Sequence, residues 1–136
     1  MKKYKLGLLF GTFDPLHFGH IRLFKRAKDL CEKIFVCVDS DDLIRYAKKR
    51  EPFTSYEDRV EDVKGIKYVD YIGMESDTLT KSVWIKKIKP DVLIKGDDWQ
   101  GKGWSGENLG VPVVYLPHTQ EINSTYLRDN INNKKL

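Results

Sequence analysis

The sequence predicts an α/β fold of three layers, α/β/α, built on one five-stranded parallel sheet. Two observations carry that expectation. Five short apolar runs rich in Val, Ile and aromatic residues are separated by segments whose apolar residues recur at helical spacing. Strands that alternate with helices pair in parallel and cover both faces of the sheet through right-handed crossovers. At 136 residues the chain holds one core but not two independent ones, so residues 1–136 are expected to form a single domain.

The strand-like runs are Leu6 to Phe10, Ile34 to Val38, Tyr68 to Ile72, Val92 to Ile94 and Val111 to Leu116. Between the first two, Leu23, Phe24, Ala27, Leu30 and Cys31 share one helical face, while Arg22, Lys25, Arg26, Lys28 and Asp29 face away. Ser55, with Asp58 three residues on, resembles a capping box that opens a helix over about Tyr56 to Val63. A further helix over about Leu79 to Lys89 must stop before Pro90. The last helix runs over about Ser124 to Ile131, with Asn123 or Ser124 as its N-cap, and residues 130–136 read as a frayed tail.

Apolar residues make up 40% of the chain and charged residues 32%, an ordinary balance for a globular domain. The net charge of +4 is mild and spread out, which suits an anionic small substrate. A nucleic-acid partner is not expected, because neither a basic stripe nor a known module is visible. No segment is long and apolar enough for a membrane partner, and the apolar stretch near Met1 is too short for a signal peptide. Cys31 and Cys37 lack metal or disulfide spacing and read as small buried residues in a reducing compartment, so a cytoplasmic location is expected.

In parallel sheets ligands bind beyond the carboxyl ends of the strands, which points to residues 11–20, 39–54, 96–110 and 117–125. The first of these is GTFDPLHFGH. Gly11 allows a tight exit from the strand, and Gly19 allows close backbone approach at the helix start. Free N–H groups there would favour a phosphate, and His17 and His20 can both donate to the same anion. Neither GxGxxG nor a P-loop lysine is present. A capped helix with two unremarkable histidines is the plain alternative. Zinc fits less well, because three protein ligands are usual and the third histidine, His118, is far along the chain. Lys48, Lys49 and Arg50 form a basic loop. Gly96 to Gly110 holds five of the ten glycines and two tryptophans, long enough for a functional lid.

Taken in chain order, four segments resemble one family. His17-Phe18-Gly19-His20 is similar to the HxGH signature of the nucleotidyltransferase superfamily of small cytidylyl- and adenylyltransferases. Arg50 to Arg59 resembles its basic loop and SYExR-like helix opening. Gly96-Asp97-Asp98-Trp99 resembles its GDDW segment, and Leu116 to Thr125 its RTEGISTT-like terminal motif. The resemblance runs from about Tyr4 to Arg128 and is strongest to cytidylyltransferases that act on glycerol 3-phosphate.

The resemblance implies a Rossmann-like nucleotidyltransferase fold with strand order 3-2-1-4-5. It implies transfer of a cytidylyl group from CTP to a small phosphorylated alcohol, glycerol 3-phosphate above all, giving CDP-glycerol for surface polymers and pyrophosphate. Mg²⁺ would come with the triphosphate rather than sit on protein ligands, and the partner would be a second copy in a homodimer. The catalytic set implied is His17, His20, Lys48 and Arg50. Nucleotide binding would fall to Gly11, Thr12, Phe13, Gly19, Asp98, His118, Thr119, Ile122, Asn123, Ser124 and Thr125. Acceptor binding would fall to Asp14, Lys48, Arg59, Lys67, Lys81 and Trp99, with Trp104 a packing anchor. The sequence departs from the pattern at Arg50, where a lysine is common, at His118 for an arginine, and at Glu121 for a glycine. Those departures keep open an adenylyltransferase of the same fold acting on a sugar or flavin-type phosphate. A nucleotide-binding module without turnover is the alternative of another class, and binding alone would not need both histidines.

Overall fold

A computed structural model describes residues 2–77, 80–119 and 124–133. The elements in chain order are β1 (Tyr4–Gly11), α1 (Phe18–Leu30), β2 (Cys31–Asp39), α2 (Asp41–Lys48), α3 (Tyr56–Lys64), β3 (Tyr71–Glu75), α4 (Thr80–Ile88), β4 (Val92–Gly96), β5 (Val113–Leu116) and α5 (Ser124–Asn133). The five strands form one sheet in the order β3-β2-β1-β4-β5, and every pairing is parallel. No helix among the described residues is long and apolar enough to cross a membrane.

Two-residue alternation along the strands divides the core. Leu9, Ile34, Val36, Val38, Val92 and Ile94 pack with Phe24 and Ala27 of α1 and Val63 of α3 on one face. Leu8, Phe10, Cys37 and Leu93 pack on the other, against Trp84, Ile85 and Ile88 of α4. Both cysteines are free and buried, as their apolar setting suggested. Because β1 lies centrally between β2 and β4, the carboxyl end of the sheet opens a crevice above Gly11 where the strand order reverses.

Cys31, expected to share the α1 face, instead opens β2, directly after Leu30 ends the helix, and three further segments depart from expectation. Residues 41–48, read as loop, form α2, opened by Ser40, whose Oγ accepts from Leu43 N–H at 3.1 Å. Acids at Asp41 and Asp42 in its first turn and bases at Arg45 and Lys48 in its last complement the helix dipole. The expected basic loop is therefore the end of this helix, closed by Lys49 in the left-handed conformation. β3 begins at Tyr71 rather than Tyr68, because Ile66 to Val69 make a turn and Asp70 then substitutes for the ladder. Its carboxylate accepts from Ile34 N–H at 2.8 Å and Lys28 Nζ at 2.5 Å. Finally, α5 continues to Asn133, so residues 130–133 of the expected frayed tail are helical.

Arg59 ties the carboxyl ends of the sheet together from below. Its side chain is fully buried in α3. Nε donates to Thr54 O at 3.0 Å, Nη1 donates to Thr12 O at 2.8 Å and Asp39 O at 2.7 Å, and Nη2 donates to the Asp41 carboxylate at 2.7 Å. Loss of one partner of a buried, hydrogen-bonded charge pair strands the other partner, at a cost of about 3–5 kcal/mol. Arg59→Ala should therefore lower the urea-unfolding free energy by about that much. A loss below about 1 kcal/mol would show that these four bonds are dispensable.

Candidate active site

The chain leaves β1 at Gly11, and a Cβ there would lie 2.5 Å from the ring of Phe13, which folds back over it. Phe13 itself is buried with a φ of 54°. The next side chain, Asp14, is fully buried beneath the crevice. It accepts from Arg50 Nη1 at 2.7 Å, from Phe53 N–H at 2.9 Å, and from the N–H and hydroxyl of Thr54 at 2.7 and 2.8 Å. Burial pushes its carboxyl pKa up, but those four hydrogen bonds outweigh burial and hold it below the usual value. Asp14, expected to touch the acceptor, lines the crevice and also anchors the segment that carries Arg50.

The start of α1 is capped by its own histidines. His17 Nδ1 accepts from Gly19 N–H at 3.0 Å, and His20 Nδ1 accepts from His17 N–H at 3.2 Å, a reciprocal capping box made of two imidazoles. The rings stack at 3.8 Å, and His20 also meets Phe13 edge-on at 5.0 Å. A Cβ at Gly19 would come within 2.8 Å of the His17 ring, so the cap requires glycine there. The N–H groups of His20 and Ile21 bond to His17 O. Those N–H groups are thus engaged, contrary to the expected free donors at the helix start. With each Nδ1 occupied as an acceptor, the donors left on the two neutral rings are their Nε2–H groups.

Burial disfavours the charged form of both imidazoles. Burial lowers the pKa of His17, and burial, His17 and Lys95 together push His20 down to about 3. Neutral Nε2–H donors bind an oxyanion without having to carry charge first.

These groups line a cavity of about 850 Å³ at the carboxyl ends of the strands, at the upper end of the range for ligand sites. The cavity brings together His17, His20, Lys48 and Arg50, with Gly11, Thr12, Phe13 and Gly19 beside them. Asp98, His118, Thr119, Ser124 and Thr125 line it from the later loops, and Lys81, Trp99 and Trp104 from the α4 side. Ile122 and Asn123 lie outside the described residues, as does Glu121. Ser124 Oγ donates to Pro15 O at 3.0 Å, fixing the start of α5 over the site. His118 Nδ1 pairs with Asp97, and that bond lowers the Asp97 pKa. Asp97, Asp98 and His118 bring one ligand atom each within 4.8 Å of one another, all of them exposed.

Two expected acceptor contacts lie elsewhere. Arg59 is enclosed by the carbonyls and carboxylate described above and faces no open space. Lys67 is exposed on the turn before β3, at the opposite end of the sheet, over the ring of Tyr68. Four charged cavity residues went unread in the sequence. Arg128 donates to Asp14 O at 2.5 Å from the second turn of α5. Asp39, Glu75 and Lys95 occupy the last positions of β2, β3 and β4 or the position just before. Their signal was a charge closing an apolar strand run. Burial raises the pKa of Glu75, with Asp39 adding to the rise and Lys81, hydrogen-bonded to it, working against it.

The histidine geometry makes a pH prediction. The unfolded imidazole titrates near 6.5, while folded His20 does so near 3. Below pH 6.5 the unfolded chain binds a proton that the native chain refuses, so stability is full above 6.5 and falls as pH drops toward 3. ¹⁵N NMR of the imidazoles should show the His20 ring neutral and in the Nε2–H form at pH 6. A protonated His20 at that pH would contradict the cap.

Comparison with known proteins fits this geometry. Residues 8–130 match the family model described as cytidylyltransferase-like. The chain is 36% identical to a glycerol-3-phosphate cytidylyltransferase of Bacillus subtilis, across 91% of this chain and 95% of that protein. It is 39% identical to an FAD synthase of Thermococcus kodakarensis, across 71% of this chain and 66% of that one. The fold superposes on a lipopolysaccharide core biosynthesis protein of Thermoplasma volcanium with a TM-score of 0.68, at 24% identity over 85% of this chain and 97% of that one. Crevice, imidazole cap and family match converge: this chain belongs to the cytidylyltransferase-like family of nucleotidyltransferases.

Proposed function

We propose that the protein transfers a cytidylyl group from CTP to a small phosphorylated alcohol, glycerol 3-phosphate foremost, releasing pyrophosphate. The observation that carries the reading is the α1 cap, which occupies each Nδ1 and leaves Nε2–H as the ring donor, in one cavity with Lys48 and Arg50. Similarity across nearly the whole length of a glycerol-3-phosphate cytidylyltransferase supports the choice of nucleotide and acceptor.

In this reading a phosphate oxygen of the acceptor attacks the α-phosphorus of CTP. The bond from that phosphorus to the β-phosphate oxygen breaks, and pyrophosphate leaves. No side chain has to become a nucleophile; the work is positioning and charge stabilisation. His17 and His20 donate to the oxygens on which negative charge grows. Arg50, its fork oriented by Asp14, faces the triphosphate, and Lys48 faces the incoming phosphate. The start of α5 at Ser124 and Thr125 receives the outer phosphates, and Asp98 takes the ribose hydroxyls.

Mg²⁺ suits this site as a companion of the triphosphate. Asp14 is already satisfied by Arg50, Phe53 and Thr54, so hard oxygen ligands would come from phosphates and water. The ion would supply charge neutralisation on the leaving pyrophosphate. The proposal includes a homodimer acting in the cytoplasm and a product destined for surface polymers.

The FAD synthase similarity favours a second reading, adenylyl transfer to a flavin-type or sugar phosphate by the same cavity. Pyrophosphate release measured with the four nucleoside triphosphates across phosphorylated alcohols, sugars and flavin phosphate decides between them. CTP with glycerol 3-phosphate should be fastest, and an ATP preference would replace the first reading by the second. Loss of one oxyanion-type donor lowers kcat by about 10²–10³. His17→Asn replaces the Nδ1 cap acceptor with an amide oxygen while removing Nε2–H, so it should lower kcat by that factor and leave CTP affinity within a few-fold. Equal losses in both would make His17 a structural residue.

A further inference from the structure

The α4 face of the sheet carries a row of charges at its carboxyl edge. Leu8 and Phe10 of β1, Cys37 of β2 and Leu93 of β4 all point to that face. Asp39 lies two residues beyond Cys37, Lys95 two beyond Leu93, and Glu75 is in register with Asp39, so all three continue the same parity. Lys81 enters the row from α4, hydrogen-bonded to Glu75 and set 4.8 Å over the Phe10 ring.

Lys81 thus has its counter-charge, and Asp39 accepts from Thr12 Oγ1 at 2.8 Å. Lys95 has no carboxylate at ion-pair distance among the described residues. Its hydrogen bond to Phe10 O is long, 3.4 Å, and the rings of Trp99 and Trp104 each stand 5.0 Å from its Nζ. Trp104 is itself fixed, donating from Nε1 to Tyr115 Oη at 3.0 Å. The indoles hold the ammonium in place by cation–π attraction but accept no conventional hydrogen bond from it. Burial pushes the Lys95 pKa down to about 8, with Lys81 adding to the fall and Asp39 and Glu75 resisting it. Its positive charge also reaches His20. A cation so placed gains from an anion delivered to the cavity, beside the imidazole that faces the reacting phosphates.

We propose that Lys95 binds the phosphate of the acceptor, and that Asp39 and Glu75 beside it receive the acceptor's hydroxyl groups. The acceptor is then a phosphomonoester of a small polyhydroxy body, its carbon skeleton lying against Trp99 and Trp104. This rests on the nucleotidyl-transfer reading above and deepens it, since neither Lys95 nor the carboxylate pair stood among the expected site residues.

The test compares the wild-type protein with Lys95→Met and Lys95→Arg. Calorimetric titration with glycerol 3-phosphate and, separately, with inorganic phosphate is run without nucleotide, beside steady-state pyrophosphate release. Loss of a charge-assisted hydrogen bond should weaken glycerol 3-phosphate binding and raise its KM by about 10- to 100-fold in Lys95→Met. KM for CTP and the melting temperature should hold, and Lys95→Arg should recover part of the affinity. Equal affinity in Lys95→Met and wild type would overturn the inference, as would a wild type that binds neither probe. Weakened binding in the variant with no pyrophosphate release from any triphosphate would sustain Lys95 and overturn the transfer reading. Release with unchanged acceptor constants in the variant would do the reverse.

Discussion

Two imidazoles that accept backbone N–H groups at the start of α1 are the constraint on which the site depends. A helix start normally presents unsatisfied donors, and a side-chain oxygen commonly fills them. Here His17 and His20 fill them with Nδ1, which leaves each proton on Nε2 and fixes the ring planes by stacking. Capping and donor presentation are thus one arrangement. Gly19 is required because the His17 ring occupies the space a Cβ would take, and Phe13 braces His20 from the side.

A second tier of hydrogen bonds carries that arrangement to the rest of the cavity. Asp14 follows directly on the Phe13 bend and binds Arg50 and the 53–54 backbone, so the loop after α2 is registered against β1. Arg128 closes on Asp14 O from α5, and Arg59 ties Thr12 O to Asp39 O from below. Each of these buried or half-buried polar groups is met by several partners, as a dry interior demands. Asp14 both lines the cavity and holds the Arg50 segment, whereas Arg59, also expected at the acceptor, is enclosed by the groups it holds.

The layered parallel sheet was legible because five short apolar runs alternate with helical patterns, whereas its strand order came only with the family resemblance. The GDDW-like and terminal segments stood out because each follows a strand end. α2 was missed although Ser40 with two acids behind it is a strong helix opening; the short apolar set Leu43, Ile44 and Ala47 did not stand out between charges. β3 was placed three residues early because Tyr68 and Val69 look strand-like, whereas Asp70 decides where the ladder starts. Lys67 and Arg59 were misplaced because spacing does not tell which end of a sheet, or which side of a helix, a basic residue faces. Lys95 was overlooked for a related reason: the role proposed for it rests on its having no carboxylate at ion-pair distance among the described residues, and only three-dimensional neighbours reveal that.

The edge position of β3 and the flanking position of β4 have a bearing on how such a protein changes over generations. In the function proposed above, the triphosphate is handled from β1 and the helices that follow it, whereas Glu75 and Lys95 close strands on either side. On that reading, single replacements at those strand tips would retune which small molecule is activated without disturbing the imidazole pair. A lineage built on this frame can therefore diversify its products by altering a few terminal side chains, while its handling of the nucleotide stays inherited.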